Sequence, residues 1–171
     1  RMNKPKVASD WLAGCAGCHM SLLDIDEHIL ELLELVELRS TPITDLKEPD
    51  ESGVDVGILE GGVNNTSNEE VALKFRSRSR ILVALGDCAV FGGVPTMRNF
   101  HPIEDVLRRA YVETESTDSE GKIPDDPELC TPTHARALHE VVPVDVFLPG
   151  CPPSAEAILY ALSELAQGRM P

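Results

Sequence analysis

The residues with most chemistry to offer are five cysteines: Cys15, Cys18, Cys88, Cys130 and Cys151. Cys15 and Cys18 sit three positions apart in "GCAGCHMSLLD", Cys88 lies in "GDCAVFGGVP" and Cys151 in "PGCPPS". A close pair of this kind serves as a redox dithiol, as half of a zinc site or as part of an iron-sulfur site. An odd cysteine count makes a poor disulfide framework, and a reducing compartment keeps such residues as thiols, so metal or redox chemistry leads.

What the cysteines can do together depends on the elements that carry them. "KVASDW" leads as a strand into the "CAGC" loop, and residues 22–36 repeat apolar side chains every three or four positions, which predicts a helix starting just after Cys18. Ser21 and Asp24 stand at capping-box spacing for it. Residues 39–46 make a weak strand, residues 48–53 a polar turn and "VDVGILEGG" a buried strand, followed by a helix from Ser67, with Glu70 at capping-box spacing, to Ser77. "RILVALGDC" is the clearest strand, with a glycine-proline loop after it and a helix over residues 103–113. A polar insertion loop occupies about residues 113–133, "VDVFLPG" is a last strand, and "PPSAEAILYALSELAQG" a last helix with Pro152 and Pro153 suited to its first turn.

Strands alternating with helices predict an α/β fold over residues 1–171: a single-domain, flavodoxin-like, doubly wound parallel sheet in three layers. In such a sheet the chain leaves every strand at its carboxyl end, where ligands collect. Cys15, Cys18, Cys88 and Cys151 all follow strand ends, so they share one rim, while Cys130 falls in the polar loop.

Four convergent thiolates suit zinc or a 4Fe-4S cluster. Structural zinc takes two close pairs in small modules that need the metal to fold, whereas one close pair with two distant singles on a chain of 171 residues favours the cluster. Gly14, Gly17, Gly86 and Gly150 leave room beside a bulky anionic core. A dithiol function and inert buried cysteines stay open as alternatives, though the first leaves Cys88 and Cys151 without a role.

The bulk properties exclude more than they assign. A net charge of -14 argues against nucleic acid, whose binding rests on Lys and Arg. Carboxylates at Asp24, Asp26, Glu27, Glu31, Glu34 and Glu37 interrupt the most apolar stretch, so no membrane span is predicted, and without an apolar signal core a cytoplasmic location is expected.

Taken in order, "GCAGCHMSLLD", "LEGGV", "GDCAVFGGVP" and "PGCPPS" resemble the small subunit of nickel-iron hydrogenases across essentially the whole chain. The resemblance implies a proximal 4Fe-4S cluster on Cys15, Cys18, Cys88 and Cys151, with the nickel-iron centre in a large-subunit partner. Without a twin-arginine leader or a C-terminal cysteine and histidine set, the chain resembles the soluble, bidirectional, NAD-reducing members. Electrons would then pass toward diaphorase partners that carry flavin, iron-sulfur clusters and NAD. The iron-sulfur subunit of quinone-reducing complex I is a second resemblance, but it typically carries adjacent cysteines in place of this CxxC. FMN is not expected here, because "CAGC" fills the loop its phosphate would need.

Three residues beside the cysteines are candidates for tuning the cluster or relaying protons. Glu60 ends a buried strand on the same rim, with a solvated or helix-capping carboxylate as its plain alternative. Asp87 adjoins Cys88 and can act by charge or merely cap a turn. His19 adjoins Cys18 and can donate to a sulfide or lie on the surface. Trp11 is expected in the core, Lys74, Arg76, Arg78 and Arg80 at a helix C-terminus, and His134 and His139 lack metal-ligand spacing. The leucine-rich first helix should pack on the sheet, with any excess apolar surface turned to the large subunit.

Overall fold

A computed structural model describes residues 4–45, 49 and 51–171, so the turn expected at residues 48–53 lies partly outside the described residues. In chain order the elements are β1 (Lys6–Trp11), α1 (Gly17–Leu23), α2 (His28–Leu35), β2 (Glu37–Ser40), β3 (Val54–Glu60), β4 (Val63–Asn65) and α3 (Thr66–Arg78). Then follow β5 (Ser79–Leu85), α4 (Gly86–Phe91), a 3-10 turn over Val94–Phe100, α5 (Ile103–Tyr111), β6 (Pro132–Arg136), a second 3-10 turn over Leu138–Glu140, β7 (Val146–Leu148) and α6 (Ala155–Ala166).

Five strands form the main sheet in the order β2-β1-β3-β5-β7, and every pairing is parallel. From β1 the chain steps outward to β2 and then returns past β1 to β3, β5 and β7, which is the doubly wound, flavodoxin-type order expected from the sequence. The order reverses between β1 and β3, whose carboxyl ends meet at the Trp11–Glu60 pair. A crevice at that end of the sheet is dictated by topology before any side chain is considered.

Two apolar layers hold the helices on opposite faces. Phe75 and Ala72 of α3, with Ala89 and Val90 of α4, pack on Ala8, Leu59, Leu82 and Ala84. On the other face Ile25, Leu32, Ile158, Leu162 and Leu165 pack on Val7, Val56, Ile58, Val83 and Leu85. Alternation along each strand sends successive side chains to the two layers, so Ser9 and Glu60 share the face of Val7 and Ile58.

The structure corrects several local expectations. The first helix is two helices: Asp26 adopts a left-handed conformation with φ 56°, which Asp tolerates better than most residues, and the chain turns there while Ile25 stays buried. Ser21 lies inside α1 rather than capping it, and α3 is capped by the Asn65 side chain, which accepts from the Asn68 amide at 2.8 Å, not by Ser67. The strand expected as "RILVALGDC" ends at Leu85, and its last three residues join the first three of the expected loop in the short α4. Pro152 and Pro153 precede the Ser154 cap of α6 rather than forming its first turn.

β4 and β6 pair antiparallel as a small separate ribbon that the sequence did not signal, and β6 takes the last residues of the stretch expected as a loop. Residues 112–131 form neither helix nor strand. Arg76 and Arg78 do sit in the last turn of α3, where Arg76 donates to the Ser79 and Arg80 carbonyls and to Asp145, and Arg78 to the Pro49 carbonyl.

Candidate functional site

The loops leaving β1, β5 and β7 bring four cysteines to the carboxyl rim. After β1, the turn through residues 12–16 is stitched to the β3 exit by paired backbone bonds between Ala13 and Gly62, at 3.0 and 2.8 Å. Gly61, at φ +87°, makes that approach possible, since a Cβ there would strike the Leu12 and Ala13 backbone. Ala16 then takes a left-handed conformation and starts α1, which sets Cys15 just outside the helix and Cys18 in its first turn.

After β5 the chain turns at once into α4, so Cys88 lies in that helix's first turn. Gly92 closes α4 by donating to the Cys88 carbonyl, and the Val94 amide bonds to the Cys88 sulfur. Cys151 stands three residues beyond the end of β7. Two further ties join the loops: the Gly150 amide donates to the Asp87 carboxylate at 2.7 Å while the Asp87 amide donates to the Gly150 carbonyl at 2.9 Å. The Ser21 hydroxyl reaches from α1 to the Pro153 carbonyl at 2.5 Å.

Space beside the sulfurs is kept by glycines. A Cβ at Gly86 would overlap the Cys18 sulfur, and one at Gly93 would stand 3.1 Å from that of Cys88. One at Gly17 would stand 3.1 Å from the Cys15 sulfur. Any larger residue at Gly86 would fill the room between the Cys18 loop and the Cys88 loop.

Electrostatics ties the four thiols together. Burial pushes the Cys18 thiol up to about 12, and negative charge at Glu60, Cys88, Cys15 and Cys151 adds to the rise. Cys88 is raised too, first by burial, with Cys151, Cys15 and Asp87 contributing and the Val94 amide opposing. Gathering four thiolates here therefore requires positive charge among them. Cys15 and Cys151 are exposed, Cys18 and Cys88 partly so, and Cys130 is exposed in the loop before β6, where it acts on neither Cys18 nor Cys88. Among the described residues, no three His, Cys, Asp or Glu side chains gather as the ligands of a single metal ion would.

The candidates beside the cysteines are placed unexpectedly. Glu60 is buried, not solvated: its Oε2 accepts from the His19 amide at 2.7 Å and meets His19 Nδ1 at 2.8 Å. His19 is wholly buried rather than on the surface, and its Nε2 meets the Ser9 hydroxyl at 3.0 Å. Ser9 donates to the Thr41 hydroxyl at 2.9 Å. Trp11 leaves the core, 40% exposed, with its ring edge-on to His19 at 5.6 Å. Ser9 and Thr41 escaped sequence reasoning, and Ser21 was read only as a helix cap; Ser9 had a signal, since it is a polar residue at an inward position of an apolar strand.

Beside Cys88 the surface is apolar. Phe91, Val94, Met97 and Phe100 are each more than 60% exposed, along α4 and the turn after it. Exposed aromatic and methionine side chains so close together in the chain have the composition of a protein–protein contact surface.

Residues 15–165 match the family described as NADH ubiquinone oxidoreductase, 20 Kd subunit. The chain belongs to that family. It is 42% identical over 174 residues to the NAD-reducing hydrogenase HoxS subunit delta of Cupriavidus necator, spanning 99% of this chain and 82% of that protein. The iron-sulfur subunit of an F420-non-reducing hydrogenase from Archaeoglobus profundus is 30% identical over 183 residues, and the match covers 97% of this chain but 57% of that longer relative. Among solved structures, an NAD+-reducing NiFe hydrogenase in the H2-reduced state superposes with a TM-score of 0.94 at 43% identity, covering 99% of this chain and 94% of that one. The relatives are thus subunits named for hydrogenases, and among the described residues no helix is long and apolar enough to cross a membrane.

Proposed function

We propose that the chain is the electron-transfer small subunit of a nickel-iron hydrogenase that reduces NAD. In this reading Cys15, Cys18, Cys88 and Cys151 hold one 4Fe-4S cluster, between the nickel-iron centre of a large-subunit partner and flavin-containing, NAD-linked diaphorase partners. The observation that carries it is the convergence of four thiols from three strand ends on one rim, close enough for three of them to act on the fourth. The 42% identity to a subunit of an NAD-reducing hydrogenase supports it from a separate direction.

When bound, a 4Fe-4S cluster accepts and returns one electron at a time. The chain's own residues supply the rest. Four thiolates hold the cluster, Gly17, Gly86 and Gly93 leave it room, and the Val94 amide donates to the Cys88 sulfur. Outward-facing Phe91, Val94, Met97 and Phe100 offer the large subunit an apolar seat next to Cys88, so the distance an electron must cross stays short. Flavin, NAD and the nickel-iron centre sit in the partners, since the loop after β1 that would cradle a flavin phosphate is taken by the Cys15–Cys18 turn. A cytoplasmic location goes with this assignment.

The matched family's name also fits a quinone-reductase subunit, but the CxxC turn and the hydrogenase relatives favour the first reading. Anaerobic purification with iron and acid-labile sulfide analysis tests it. About four irons and four sulfides per chain are expected, lost on Cys88→Ala. One zinc and no sulfide would overturn it in favour of a binding module held by a four-thiolate zinc site.

A further inference from the structure

Beneath the thiols runs a buried polar chain in which each of four segments contributes one side chain. Glu60 closes β3, His19 lies in α1, Ser9 in β1, and Thr41 follows β2. All four are no more than 2% exposed, and consecutive members are 2.8, 3.0 and 2.9 Å apart. An apolar set of similar volume would hold this layer as well, because taking a carboxylate and an imidazole out of water carries a desolvation penalty that their attraction does little more than offset. Their presence needs another reason, and their neighbour supplies one.

Glu60 reaches the Cys15–Cys18 turn through its backbone as well as through a side chain. A single oxygen accepts both the amide of His19, the residue after Cys18, and the His19 ring nitrogen. That amide is one of the unpaired donors at the start of α1, so Glu60 caps the helix from a different element and fixes its first turn to the end of β3. A carboxylate accepting two N–H groups at 2.7 to 2.8 Å holds them by charge-assisted bonds. Its charge is also felt at Cys18, where Glu60 is the leading charged influence on the thiol.

We propose that Glu60, braced by His19, Ser9 and Thr41, is a positioning residue for the cluster: it fixes the Cys15–Cys18 turn by hydrogen bonds and lowers the cluster's reduction potential by its buried negative charge. This rests on the cluster reading above. An electron added to a centre beside a fixed negative charge is disfavoured in a low-dielectric site, so removing that charge eases reduction. Because the two effects come from one side chain, substitutions can separate them.

The test uses the protein purified anaerobically with its partner subunits, as wild type, Glu60→Gln and Glu60→Ala. Gln keeps an oxygen that accepts both N–H groups and discards the charge. Full iron and sulfide content, with a midpoint potential moved positive in an EPR-monitored redox titration, is expected of Glu60→Gln. Glu60→Ala should lose iron. An unchanged midpoint in Glu60→Gln would overturn the proposal, even where Glu60→Ala fails to assemble, and so would full iron content with an unaltered EPR spectrum in Glu60→Ala. A wild type without iron or sulfide would instead sink the cluster reading itself.

Discussion

The two halves of the cysteine rim are held by different means. On the β1 side, Cys15 and Cys18 rest on buried side chains: Glu60 and His19 lie below the turn, and Gly61 lets the β1 and β3 exits lock together. On the β5 and β7 side, Cys88 and Cys151 are set mostly by backbone groups, through the Asp87–Gly150 pair of bonds, one of them to the Asp87 carboxylate, the Val94 amide and the Gly92 closure of α4. The first half stakes much on a few interior groups; the second spreads a smaller stake over many. A parallel sheet puts both halves at one end, but it does not fix how rigidly each is held.

Glu60→Ala should break the comparison most severely. It leaves the His19 amide and His19 Nδ1 without a partner in the interior, and each buried polar group left unsatisfied costs about 1–3 kcal/mol. Chemical denaturation of the metal-free chain checks this, with a midpoint much below wild type expected. Gly86→Ala comes next, because it acts where the halves meet. Its φ of +83° strains any L side chain and the new methyl overlaps the Cys18 sulfur, for a cost on the order of 1–3 kcal/mol together with loss of iron. Asp87→Ala removes one charge-assisted bond at a partly exposed place and should cost about 1.5 kcal/mol, with a second cysteine half that still folds.

The thiol proton provides a finer separation. Folded Cys18 holds its proton up to about pH 12, whereas the unfolded chain releases it near the ordinary thiol value of 9.0. Above that value the unfolded state gains by ionising and the folded state does not, so the metal-free chain should lose stability as pH rises from 9 toward 12. Urea midpoints at about pH 8 and pH 10 measure the slope. Cys18→Ala should lessen it, and the raised Cys88 thiol should supply a slope that remains.

Much of this site was legible from residue order alone, for a topological reason. Apolar runs such as residues 81–85 mark strands, glycine and proline mark their ends, and a parallel sheet converts "just after a strand" into "on one rim", whatever the distance in sequence. What escaped was local or cooperative. The break between α1 and α2 turns on one left-handed aspartate while the apolar spacing continues across it, so periodicity is blind to it. α4 spans only six residues between glycines, and the β4–β6 ribbon joins two short polar strands far apart in the chain. His19 and Glu60 look like surface residues one at a time. Their burial follows from each other, and a pair separated by 41 positions leaves no mark on either neighbourhood.

The central claim is that four particular thiols of the five act as one ligand set. EPR of the dithionite-reduced complex tests it most directly, with each cysteine changed to serine in turn. A reduced-cluster signal present in wild type and in Cys130→Ser, and lost or reshaped in Cys15→Ser, Cys18→Ser, Cys88→Ser and Cys151→Ser, is the predicted result. A wild-type signal that survives unaltered in any of those four, or disappears in Cys130→Ser, would contradict it.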